Sequence, residues 1–197
     1  MKTKSEEIFE NFLNNNNLKF EKIKEEDSPR PDYLVKTDEI ELAFEVKELA
    51  EDDNFNTDQF AVSSKIVGQH VRKKIHNARR QIQFAANLGL PSILLIYNNI
   101  DPLHLFGTEN MDFISAMYGD YTLVLNKDTG KIVDRFQGKN QSLSEAKNTS
   151  FSAVGKLSLC DRQMKVTLFD NLFSKIKIQY EKLPSCFDVI TIEIETE

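Results

Sequence analysis

At 197 residues the chain is long enough for one domain with a sizeable core and short for two. Hydrophobic residues make up 40% and charged residues 28%, with only 7 Gly and 5 Pro, which excludes a disordered or low-complexity chain. A net charge of -6 and a pI near 5.2 exclude a protein that coats nucleic acid through its overall field, so any such contact must be local.

The charged start, Met1 to Glu7, leads into no apolar h-region, and no later stretch reaches the roughly 18 apolar residues of a membrane span. The expectation is a cytoplasmic protein with no membrane partner. Cys160 and Cys186 have no nearby Cys or His in sequence, so they suit buried free thiols rather than a zinc site or a disulfide framework.

The first element is an amphipathic helix over Lys4 to Asn16, with Ile8, Phe9, Phe12 and Leu13 on one face and Thr3 and Glu6 spaced as a capping box. Asn14 to Asn17 end it, and a short strand is expected around Leu18 to Lys24. Ser28, Pro29 and Pro31 make a loop that opens into a strand at Asp32 to Val35. Thr37 to Glu39 turns the chain into a second strand, Ile40 to Lys47, closing a hairpin.

A polar, acidic stretch from Glu48 to Asp58 precedes a long helical pattern from Ser63 to Leu88, with Val71, Ile75, Ala78, Ile82 and Ala85 on one stripe and Gly89 as the stop. Pro91 then introduces Ser92 to Tyr97, an apolar run expected to be a strand buried on both faces. Beyond it the pattern gives a short helix at Asp112 to Met117 and strand-like runs at Tyr121 to Leu125, Lys131 to Phe136, Lys165 to Phe169 and Val189 to Ile194, with a polar loop at Ser142 to Ser150. No internal repeat or linker divides the chain, so a single domain over 1–197 is expected, with a core in 1–100 and an extension in 101–197.

The hairpin carries the chemistry. On its second strand the pleat sends Leu42, Phe44 and Val46 to one face and Ala43, Glu45 and Lys47 to the other, while Pro31-Asp32 opens the neighbouring strand. Two carboxylates, Asp32 and Glu45, can therefore converge beside a lysine. That set suits a hard cation such as Mg²⁺, which takes one or two protein carboxylates and completes its shell with water and phosphate oxygens. A cation so held polarises a phosphodiester and lowers the pKa of its water, and Lys47 can orient that water or stabilise developing negative charge.

Pro31-Asp32, twelve intervening residues and Glu45-Val46-Lys47, preceded by a helix with acidic residues, resemble the PD-(D/E)XK nuclease superfamily. The resemblance covers about the first half of the chain. It implies a restriction-endonuclease-like α/β/α core with a mixed central sheet and additional C-terminal β-rich elements. It also implies an endonuclease that hydrolyses DNA with Mg²⁺ or Mn²⁺ bound by Asp32 and Glu45, with the Val46 carbonyl joining the shell and Lys47 assisting catalysis. Members also carry a glutamate on the first helix. Glu6 lies at the margin of the apolar stripe, Glu10 further round and Glu7 nearly opposite, which favours Glu6.

The long helix adds Lys65, Arg72, Lys73, Lys74, Arg79 and Arg80 with no acidic residue between Ser63 and Arg80. Either flank of its apolar stripe could meet DNA phosphates. Gln81 resembles a glutamine that some such nucleases aim at the site from this helix.

Against these stand the plainer alternatives: a solvated hairpin, a helix whose positive face balances the acidic segment before it, and a non-catalytic module of the same fold binding nucleic acid or protein. A structural or interaction protein whose acidic surface binds a basic partner is a third. His70, His76 and His104 are too scattered for zinc, and the chain has no P-loop, dinucleotide or serine-hydrolase motif. A homodimer would suit a double-strand cutter.

Overall fold

The computed structural model describes residues 2–24, 28–50, 65–101, 106–160 and 163–193, the side chain of Cys160 excepted. Most of the acidic stretch, together with Ser63, His104 and Ile194, lies outside the described residues.

Helix α1 (Lys4–Asn15) starts on the expected capping box: Thr3 accepts from the Glu6 backbone while Glu6 Oε2 accepts from the Thr3 N–H at 2.7 Å. Strands β1 (Lys19–Lys22), β2 (Tyr33–Lys36) and β3 (Glu41–Leu49) form an antiparallel meander. Helix α2 (Gln69–Asn87) carries the chain back so that β4 (Ser92–Asn98) lies parallel to β3. Helix α3 (Asn110–Tyr118) and a ribbon of β5 (Tyr121–Leu125) and β6 (Ile132–Gln137) follow. Strands β7 (Ala153–Cys160), β8 (Gln163–Asp170) and β9 (Phe187–Ile190) complete the main sheet.

The protein is thus mixed α/β. Among the described residues its main sheet has seven strands in the order β1-β2-β3-β4-β7-β8-β9, parallel at β3-β4-β7 and β8-β9 and antiparallel elsewhere. Each face has its own core. Phe9, Phe12 and Leu13 of α1 pack on Tyr33, Phe44 and Leu95, and α2 and α3 pack on Leu94, Val154 and Phe169. Between those layers β4 is buried at every residue, as its unbroken apolar run predicts. No described helix is long and apolar enough to cross a membrane.

Three expectations are corrected. Helix α2 begins at Gln69 rather than Ser63, because Lys65 is drawn to Glu109 and Asp112 of the α3 start, and Gly68, in the left-handed region at φ 77°, presses on α3 where a Cβ would lie 2.8 Å from the Ala116 nitrogen. Asp112 Oδ1 accepts the Gly68 N–H at 2.8 Å. Strand β9 stops at Ile190. Strand β7 has no counterpart in the sequence reading, because Gly155 lowers its strand propensity; that glycine is required by tertiary packing, where a Cβ would lie 2.7 Å from the Thr167 carbonyl oxygen.

The β5–β6 ribbon lies apart from the main sheet and leaves Tyr121, Leu123, Leu125 and Ile132 about half exposed. Cys186 is free and half-buried, and burial raises its thiol pKa.

Candidate active site

The β2–β3 register places Tyr33 opposite Phe44 and Leu34 opposite Ala43. One step further along, Asp32 stands beside Glu45, just where β2 ends. Opposite residues in an antiparallel pair point to the same face, so Asp32 joins Ala43, Glu45 and Lys47 on the α2 side. Beyond Tyr33 the edge of β3 has lost its strand partner, and the Asp32 side chain fills that role: its Oδ2 accepts the Val46 N–H at 2.7 Å. In a strand the N–H and C=O of one residue face the same neighbour, so the Val46 carbonyl opens toward this gap as well.

Both faces of β3 are largely buried, unlike those of a solvated hairpin. Its α1 face buries Leu42, Phe44 and Val46, and on the other face Ala43 is 0% and Glu45 1% exposed. Packing of α2 against β3 is the cause. Lys47 remains partly exposed and pairs with Glu45 Oε1. Glu45 Oε2 is buried with no hydrogen-bond partner.

The two carboxyl groups lie within hydrogen-bonding reach of each other. Two carboxylates this close disfavour each other's charge, and Glu45 is the one driven further toward its protonated form. Burial, and then the Asp32 charge, push the Glu45 carboxyl from 4.5 up to about 8, with Lys47 opposing both. Burial also raises Asp32, against the pull of the Val46 N–H and Lys47.

Two adjoining cavities meet at this pair. A cavity of about 470 Å³ is lined by Thr3 and Glu6 from the start of α1, by Lys22 and Lys24, and by Asp32 and Lys47. A second, of about 240 Å³, is lined by Pro31, Asp32, Glu45, Lys47, Lys24 and Gln81. Asp32 and Lys47 belong to both. The start of α1 is fastened to β3 by Glu48, whose Oε2 accepts the Ser5 N–H at 3.1 Å.

Glu6 lines the larger cavity, whereas Glu10 is spent on the Tyr33 hydroxyl at 2.9 Å and on Lys2 at 2.6 Å. Both Glu6 oxygens are engaged, one by the Thr3 cap and the other by Lys22 at 2.7 Å. Burial disfavours its charge, but Lys22 and the cap hold its carboxyl below the ordinary range. Among the described residues no three acidic, His or Cys side chains come together as a metal cluster, so Glu6 does not join Asp32 and Glu45 in a shared set.

The basic helix divides. Arg72 is committed internally, donating to the Val67, Ser115 and Asn140 carbonyls and pairing with Asp120. Lys73, Arg79 and Arg80 are exposed and Lys74 half-buried. Arg79 and Arg80, with His76 and Gln83, line a shallow hollow of their own. Lys65 is not on the helix at all, and His70 is buried at 3% exposure beside Phe106.

Sequence reasoning assigns no role to Lys22, Lys24 and Arg30, which line the cavities at the carboxylate pair. The alternation of Lys22 and Lys24 at the end of a strand just before Pro31-Asp32 is the signal that could have singled them out.

Comparison with family models, with curated proteins and with solved structures returns no match for this chain.

Proposed function

We propose that the protein is a metal-dependent nuclease that hydrolyses DNA phosphodiester bonds at the Asp32–Glu45–Lys47 centre. One observation carries the reading. Half-buried Asp32 stands beside Glu45, which is buried under α2 with its Oε2 lacking a hydrogen-bond partner although Lys47 meets its Oε1. A buried polar oxygen left open in this way costs stability unless a donor or cation meets it. The order of acidic helix, hairpin with Pro31-Asp32 and Glu45-x-Lys47, long helix and buried strand supports the PD-(D/E)XK resemblance and a restriction-endonuclease-like core.

The donor set fits a hard divalent cation. Asp32 and Glu45 would hold it, with the Val46 carbonyl facing the same gap, and phosphate and water oxygens would supply the rest of the shell. When bound, Mg²⁺ or Mn²⁺ supplies Lewis acidity to the phosphodiester and makes an attacking water acidic enough to react near neutral pH. Glu45 would give up its proton on joining the ligand set. Lys47, the partly exposed member, presents its ammonium to negative charge that builds on the phosphoryl oxygens as the water–phosphorus bond forms and the bond to the leaving sugar oxygen breaks. Gln81, on the wall of the same cavity, orients the phosphate or the water. Glu6 holds Lys22 at the mouth, where that cation can meet a neighbouring phosphate.

The test is cleavage of supercoiled and single-stranded DNA with and without Mg²⁺ or Mn²⁺. Cutting that requires the metal and is lost in Asp32→Ala and Lys47→Ala is expected. No cutting by the wild type on either substrate overturns the catalytic reading.

The exposed Lys73, Arg79 and Arg80 support a second reading, a nuclease-fold module that binds nucleic acid without cutting it. Salt-sensitive DNA binding that is lost in Arg79→Gln/Arg80→Gln, in a protein that binds no divalent cation, would select it.

A further inference from the structure

Beside the catalytic cleft lies a third cavity, of about 350 Å³, with a different chemistry. Its walls are mainly apolar, Pro31, Leu34, Phe84 and Leu88 among them, and its two charged side chains are Arg30 and the exposed Glu21. Leu88 is 64% exposed and Phe84 is half-buried, so apolar surface faces solvent here. The Arg30 guanidinium stands 5.6 Å from the centre of the Phe84 ring. Ile23, Arg30 and Pro31 line both this hollow and the cavity that holds Glu45, Lys47 and Gln81, so the two adjoin.

A strand lying in the cleft places its backbone phosphate at the carboxylate pair and must put its bases somewhere. A paired base is stacked inside a duplex and cannot enter a side hollow, whereas an unpaired base offers a flat apolar face that stacks on aromatic and guanidinium planes. Phe84, Pro31 and Leu88 provide the apolar surface, and Arg30 provides a planar cation beside it that suits both a base and the adjoining phosphate.

We propose that this hollow is a subsite for an unpaired nucleobase of the strand that is cut, so that the substrate is a single strand or the frayed end of a duplex. The proposal rests on the nuclease reading for its orientation of the strand. Among the described residues, Arg30 is the one charged side chain that lines both a catalytic cavity and this apolar hollow. A second copy of the chain or an apolar peptide, the other conceivable occupants, would not account for a guanidinium set beside the Phe84 ring on the wall shared with the carboxylate cavity.

The experiment is equilibrium binding without divalent metal, so that nothing is cut. The probes are a fluorescent oligothymidylate of about 20 nucleotides, an abasic deoxyribose-phosphate chain of equal length, and the corresponding duplex. Stacking of one base is expected to favour the thymidylate over the abasic chain by about tenfold or more, with the duplex weaker than the thymidylate. Phe84→Leu keeps the apolar volume and removes the ring, and it should bring thymidylate down to the abasic level. Equal binding of thymidylate and abasic chain by the wild type overturns the subsite, and that comparison decides the matter even if the variant fails to fold. A folded Phe84→Leu that keeps the preference overturns it too. Failure of the nuclease reading is seen separately: base preference without metal-dependent cutting leaves the subsite standing, and Asp32-dependent cutting without base preference removes the subsite alone.

Discussion

The two faces of β3 are equally buried and opposite in what they contribute. Leu42, Phe44 and Val46 meet the rings of Phe9 and Phe187 and the β2 side chains Tyr33 and Val35, with Phe44 and Phe9 centroids 5.1 Å apart. Between Phe44 and Val46 in sequence but on the other face, Glu45 is just as inaccessible yet carries a carboxyl that burial drives toward its protonated form and an oxygen with no hydrogen-bond partner. The first face stabilises the fold through dispersion and dehydration. The second face costs stability, because a carboxyl placed there is dehydrated without full compensation.

The contrast can be broken at either face. Phe44→Ala should be the most damaging change, with a loss of about 3–5 kcal/mol in denaturant unfolding, since it opens a cavity among aromatic side chains. Glu45→Gln should act in the opposite direction. In the folded protein Glu45 holds a proton up to about 8, whereas in the unfolded chain it releases it near 4.5. Its contribution is therefore fully present below 4.5 and is lost as pH rises through about 8. Melting followed at pH 5 and pH 8.5 should show the wild type losing stability, on the order of a few kcal/mol, and Glu45→Gln losing far less while binding a divalent cation more weakly. A Glu45→Gln protein that melts lower than the wild type at pH 8.5 would mean that the charge is better compensated than the geometry indicates. The smallest effect is expected at the helix that forms one wall of the cleft: Thr3→Ala removes the cap of α1 and should cost about 1 kcal/mol, read by the same melt.

Much of this was legible in the sequence, for identifiable reasons. The helical stripe from Val71 to Ala85, the capping box and the β4 run are local patterns, and each forms where its periodicity puts it. Asp32 and Glu45 meet because a short turn fixes the hairpin register. What escaped is tertiary. The burial of Glu45 depends on α2 crossing over β3, the late start of α2 at Gln69 depends on Lys65 finding Asp112, and β7 exists because its Gly155 fits under Leu95 and Thr167. The engagement of Arg72 by Asp120 and three carbonyls is equally invisible to a helical projection, which sees only a positive side chain on a flank.

The most direct test is calorimetric titration of Mn²⁺ or Mg²⁺ at pH 7 in two buffers of different ionisation enthalpy, with wild type and Glu45→Gln compared. If the carboxylate pair is the ligand set, the wild type binds the ion and releases close to one proton for each ion taken up, because Glu45 must surrender the proton it holds. The variant then binds at least tenfold more weakly and without proton release. Absence of binding to the wild type, or binding that Glu45→Gln leaves unchanged, would contradict the assignment of Asp32 and Glu45 as a metal centre.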